Sequence, residues 1–142
     1  PRNFVCAKDA SSLKLIDFGL TVPAEPKFMQ PGIRTGTPNY MAPEVVRRKP
    51  TDHRLDIYSY GASMYELFSF ELPWVRGTDG LAAMSHGEGD LPPLSQYVPW
   101  VHPDIEQVIL NCLQPDPADR PSSMKAVLKP LARLKSERRP DA

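Results

Sequence analysis

Gly36-Thr37-Pro38-Asn39-Tyr40-Met41-Ala42-Pro43-Glu44 is the stretch on which the reading of this chain turns. A proline inside a helix removes an amide donor and costs about 3 kcal/mol or more. Residues 20–39 carry Pro23, Pro26, Pro31 and Pro38 with little periodicity, which predicts a long irregular loop. Structureless connections of that length are uncommon in compact domains and are usually functional or disordered. Upstream stands Asp17-Phe18-Gly19, directly after the apolar run Leu13-Lys14-Leu15-Ile16. A second short run, Phe4-Val5-Cys6, lies across the turn-prone Asp9-Ala10-Ser11-Ser12, so the two runs predict a small antiparallel hairpin.

The whole chain has 142 residues, 17 Lys+Arg against 17 Asp+Glu, and 41% hydrophobic residues. That length buries roughly two-thirds of the unfolded surface, so no disulfide or structural metal is needed. Zero formal net charge argues against an electrostatic nucleic-acid binder. No apolar stretch is long enough to span a bilayer and the start is no signal peptide, so the expectation is a cytoplasmic segment without membrane contact. Cys6 and Cys112 lack ligand spacing and read as reduced thiols packed as small apolar groups. His53, His86 and His102 are scattered in polar surroundings, and Trp74 and Trp100 read as packing against peripheral helices.

Seventeen prolines, more than double ordinary usage of about 5%, confine helices to the windows between them. Leu55 to Phe70 is apolar around nearly its whole circumference, which predicts a helix buried on all sides, with Thr51 or Asp52 as its cap. Asp104 to Leu113 places Ile105, Val108, Ile109, Cys112 and Leu113 on one face. Ser122 or Ser123 opens a further helix carrying Met124, Val127 and Leu128 inward, with Pro130 expected to stop it. Residues 131–142 read as a polar, basic tail.

In order along the chain, Asn3, Asp17-Phe18-Gly19, Ala42-Pro43-Glu44, Asp56-Ile57-Tyr58-Ser59-Tyr60-Gly61 and Asp116-Pro117-Ala118-Asp119-Arg120-Pro121 resemble the large-lobe signatures of a protein kinase domain. The resemblance covers residues 1 to about 130. It implies a protein kinase-like α+β fold of which this part is mainly α: a helical lobe with a small β-hairpin near its N-terminus. It also implies that Pro1 lies inside a catalytic loop, with the base aspartate, glycine-rich loop and nucleotide lysine expected before it.

By the same resemblance, Asp17 supplies a carboxylate bridging magnesium and the ATP phosphates, Asn3 ligates a second magnesium, and Phe18 and Gly19 complete the nucleotide-side triplet. Hard oxygen donors suit Mg²⁺, and phosphoryl transfer needs its charge neutralised there. Residues 17–44 become the activation segment. Thr37 shapes the acceptor pocket in the manner of serine/threonine kinases, and Thr35 is a candidate activating phosphosite. Glu44 and Arg120 are implied as a mostly buried ion pair, arginine suiting bidentate geometry. Asp56 is implied to brace the catalytic-loop backbone, beside its simpler reading as a first-turn acid. The expected activity is magnesium-dependent transfer of the ATP terminal phosphoryl group to Ser or Thr hydroxyls of protein substrates, with residues 1–142 alone inactive. The rivals are a pseudokinase-like scaffold or regulatory interaction module and, last, a small-molecule phosphotransferase. Lys135, Arg138 and Arg139 read as a solvated helix end.

Overall fold

The computed structural model describes residues 2–30, 37–74 and 85–137. The phosphosite candidate Thr35, together with Arg138 and Arg139, lies outside the described residues. The chain opens on a hairpin of β1 (Phe4–Cys6) and β2 (Leu13–Leu15), antiparallel with Phe4 opposite Leu15 and Cys6 opposite Leu13. Its turn is closed by the Ala7 amide donating to Ser12 O at 2.9 Å, and Ala10 adopts φ 56°. Asp9 Oδ1 accepts from the Ser11 hydroxyl and amide at 2.7 and 3.1 Å, which holds its carboxyl below the usual range. Cys6 is exposed on this hairpin, not packed as the sequence reading had it, because no described element covers a ladder of only two strands.

A short helix α1 (Pro43–Val46) begins with proline at its first turn, where no amide is needed. Helix α2 (Arg54–Ser69) is the long apolar window, and Asp52 Oδ1 accepts from the Arg54 amide at 2.8 Å at its start. Ile57, Tyr58, Gly61, Ala62, Ser63, Tyr65 and Ser69 are buried along it. Burial on every side does not hold at the end, where Leu67 and Phe70 are exposed. There Phe70 turns left-handed at φ 59° and its amide closes on Glu66 O at 2.8 Å, which carries its ring away from the core.

Helix α3 (Pro103–Cys112) is capped by His102, whose Nδ1 accepts from the Asp104 amide at 3.2 Å, and it buries Val108, Ile109 and Cys112. It packs against α2 closely enough that a Cβ on Gly61 would sit 2.7 Å from Cys112 Cβ. Helix α4 (Met124–Glu137) starts with Ser123 Oγ accepting from the Ala126 amide at 3.2 Å. It runs through Pro130, contrary to expectation. One lost amide bond is offset because Val127 and Leu134, both buried, and Leu131 between them recur at helical spacing and favour continuing the helix. Met124 and Leu128, expected inside, are exposed. Ile57, Val108, Cys112 and Val127 form one core cluster, while Ala42, Tyr58, Ala62, Tyr65, Leu94, Val98, Val101, Ile109 and Leu113 form the other. No helix among the described residues is long and apolar enough to cross a membrane.

Candidate functional site

Two parts of the chain carry the sequence-predicted residues, and the fold treats them differently. At the open end of the hairpin, the Ile16 amide donates to Asn3 O at 2.9 Å. The ladder therefore sets Asn3 beside the peptide that leads into Asp17. Asp17 takes the left-handed conformation, φ 67°, which Asp tolerates better than most residues. Its Oδ1 accepts from the Gly19 amide at 3.3 Å, closing a small turn. Asn3, Asp17 and Gly19 are exposed, and Phe18 is 63% exposed, so its ring packs into no core here. Asn3 and Asp17 thus present an amide and a carboxylate, both hard oxygen donors, to solvent from adjoining backbone. That donor set suits magnesium, which binds one or two protein oxygens and keeps waters and phosphates for the rest.

The second part passes from an exposed Thr37 to a buried Ala42-Pro43-Glu44. Thr37 precedes a 3₁₀ turn, Pro38–Tyr40, and Met41 and Ala42 lead from it into α1. This segment is fastened to the helical core through Tyr40 and Glu44. Ser59 Oγ donates to Tyr40 O at 2.8 Å, and the Tyr40 hydroxyl donates to Glu66 Oε2 at 2.6 Å. Glu44 and Arg120 meet in a bidentate pair, Nη1 to Oε1 and Nη2 to Oε2, both 2.8 Å, with only 5% and 4% of each residue exposed. Arg120 is saturated further: Nε donates to Gln114 O at 2.7 Å, Nη1 to Arg54 O at 3.1 Å and Nη2 to Pro115 O at 3.1 Å. Its guanidinium also lies 4.9 Å from the centroid of the Tyr58 ring. A buried arginine so placed keeps every face occupied, which is what burial of a charge requires.

Asp56 lies in the first turn of α2, exposed beside the buried Ile57, and no described residue donates a hydrogen bond to its carboxylate. Partial desolvation raises its pKa, with His53 acting in the opposite direction. Tyr58 is buried and desolvation lifts its phenol well above the usual value; its oxygen accepts from Trp74 Nε1. Trp100, by contrast, is 79% exposed.

Sequence reasoning gave no role to the side chains of Tyr40, Tyr58 and Glu66 and placed His86 in polar surroundings, whereas it is buried at 1% exposure. Each meets a partner many positions away, so no local spacing marks it.

The protein kinase domain model matches residues 1–132. This chain belongs to the protein kinase domain family. Among curated kinases it is 34% identical over 134 residues to a serine/threonine-protein kinase, pkn3, of Myxococcus xanthus, covering 89% of this chain and 24% of that protein. It is 33% identical over 129 residues to a probable serine/threonine-protein kinase, SIS8, of Arabidopsis thaliana, covering 84% and 12%. To the serine/threonine-protein kinase PknB of Mycolicibacterium smegmatis it is 28% identical over 145 residues, covering 100% and 23%. The chain thus spans about a quarter or less of the length of these kinases.

Proposed function

We propose that these residues form the metal-side and acceptor-side part of a serine/threonine protein kinase that transfers the terminal phosphoryl group of ATP to protein Ser or Thr hydroxyls. What carries the reading is the hairpin register, in which the Ile16 amide bonded to Asn3 O at 2.9 Å brings Asn3 and Asp17 to one exposed place. The names of the related kinases and the Gly36-to-Glu44 stretch favour the serine/threonine branch over tyrosine.

In this reading Asp17 and Asn3 hold magnesium, which when bound neutralises the charge that builds on the phosphates. Asp17 presents its carboxylate from a turn fixed by its own bond to the Gly19 amide, so its aim depends on backbone, not on a free rotamer. Thr37 and the strapped segment behind it orient the acceptor hydroxyl. Its oxygen bonds to the terminal phosphorus as the bond to the ADP oxygen breaks, and its proton passes to the base aspartate that the family supplies from the catalytic loop. Phosphate on Thr35 orders the segment in the same scheme, and residues 1–142 by themselves transfer nothing.

The test is a transfer assay with labelled ATP, magnesium and an acceptor protein, on the full protein carrying this chain. Asp17→Asn is expected to lower kcat by about 10²-fold or more, as loss of one electrostatic contact to a developing charge does. Labelled product should contain phosphoserine or phosphothreonine. Phosphotyrosine alone, or wild-type-like transfer by Asp17→Asn, would refute the assignment.

A further inference from the structure

His86 is a fully buried histidine, 1% exposed, that the reaction scheme above does not use. Its ring is stacked with Tyr58 (centroids 6.3 Å apart, planes 24° apart) and with Trp74 (6.4 Å, 28°). Those two rings are themselves joined through the Trp74 Nε1 bond to the Tyr58 hydroxyl, so the plane of the imidazole is set by both. In that plane Nδ1 lies 2.8 Å from Met41 O. A carbonyl only accepts, so the contact requires the tautomer with a proton on Nδ1.

The backbone around His86 is pinned as firmly as its ring. Arg47, at the end of α1, donates to His86 O at 3.3 Å and reaches Glu88 Oε1 at 3.3 Å. Gly87 holds φ 80°, and a Cβ there would fall 2.9 Å from Pro115 Cβ and 3.3 Å from Pro43 Cγ. The turn is thus wedged between Pro43 of α1 and the Pro115 that also accepts from Arg120. Met41 and Glu44 are then both referred to one ring, Tyr58: Met41 through His86 stacked on it, Glu44 through Arg120 lying 4.9 Å from its centroid.

We propose that His86 is a positioning residue for protein-acceptor binding: it fixes the Met41 carbonyl, and with it the Thr37–Met41 segment, through a donor supplied from the turn after α2. Packing alone asks only for a flat apolar ring at this place. A directed N–H on a stretch that carries Thr37 at its other end asks for more. The inference rests on the kinase reading for what the segment binds, but the latch itself does not.

The test uses the full protein carrying this chain and two variants. His86→Phe keeps a ring for the stack and removes the donor. His86→Asn keeps a donor, since its Nδ2 is bonded to Cγ as Nδ1 is, and removes the ring. Loss of one buried hydrogen bond predicts that His86→Phe raises the KM for an acceptor peptide about tenfold while kcat and the KM for ATP change less than about twofold. His86→Asn is expected to restore most of the peptide KM. Unchanged peptide KM in His86→Phe, or equal losses in the peptide and ATP constants in both variants, overturns the proposal. Hydrogen exchange of the amides of residues 38–46 is the second readout. Faster exchange there in His86→Phe, slowed again in His86→Asn with α3 unaffected in both, supports the latch, and no local change refutes it. A wild type that transfers no phosphate yet shows this exchange pattern refutes the kinase reading and leaves the latch standing.

Discussion

Arg120 grips Glu44 across 76 positions of sequence with two bonds of 2.8 Å, and the pair is sealed from water. Removing one partner strands a buried charge. Glu44→Ala is therefore expected to destabilise the fold by about 3–5 kcal/mol, measured by urea denaturation. The paired replacement of Glu44 and Arg120 by leucine, neutral at many buried ion pairs, is expected to remain costly here. It would leave the carbonyls of Gln114, Arg54 and Pro115 without their donor. A double variant as stable as wild type would disprove this account.

Gly61 is expected to refuse alanine. Helix propensity alone favours the change by about 1 kcal/mol, but the new methyl meets Cys112 Cβ at 2.7 Å and Leu113 Cγ at 3.1 Å. Overpacking of a tight core typically costs about 1–3 kcal/mol, so the net sign is destabilising. Cys112→Ala should not rescue it, because the obstructing atom is the β-carbon that alanine retains. The thermal midpoints of the two single variants and the double decide the point.

The two thiols should separate cleanly by reactivity. Burial pushes the Cys112 thiol up to about 12, against the opposing pull of Arg120, whereas Cys6 is exposed on the hairpin. Thiolate is the reactive form. Iodoacetamide at neutral pH is expected to label Cys6 and spare Cys112 in the native protein and to label both after denaturation. Peptide mass spectrometry reads the outcome, and native labelling of Cys112 would contradict the packing of α3 on α2.

His86 gives stability a pH dependence of known sign. Burial lowers its pKa from the ordinary 6.5, Arg47 acts the same way, and the bond to Met41 O opposes them. The facing charges are Arg47 with its partner Glu88, and Arg120 with Glu44 beyond Tyr58. The unfolded chain therefore binds the proton first. This contribution to stability is complete above the unfolded value of 6.5 and is lost as pH falls through the lower folded value. Urea midpoints measured from pH 7.5 downward should decline in wild type and decline less in His86→Phe. Identical slopes would show that His86 is not the group responsible.

Local chemistry made much of this molecule legible from its sequence. The proline-free window from 51 to 72 contains α2, a three- and four-residue apolar period marks α3, and the Asp9–Ser12 turn sets the hairpin. These are short-range effects of amide loss, periodicity and side-chain caps, and they act within a few residues. Pro130 shows the limit of such reasoning: its local cost argues for a stop, and burial of Val127 and Leu134 against neighbouring elements outweighs it.

The candidate site divides along the same line. Residue identity by itself determined which oxygens stand at Asn3 and Asp17 and which stretch ends in Ala42-Pro43-Glu44. Tertiary structure alone decided that the Tyr58 ring would carry His86 and Arg120 together and that Tyr40 would bond Glu66. The reason is that a buried polar group must find its partner wherever packing puts one. A partner 26 or 45 positions away leaves no period or spacing in the sequence to announce it.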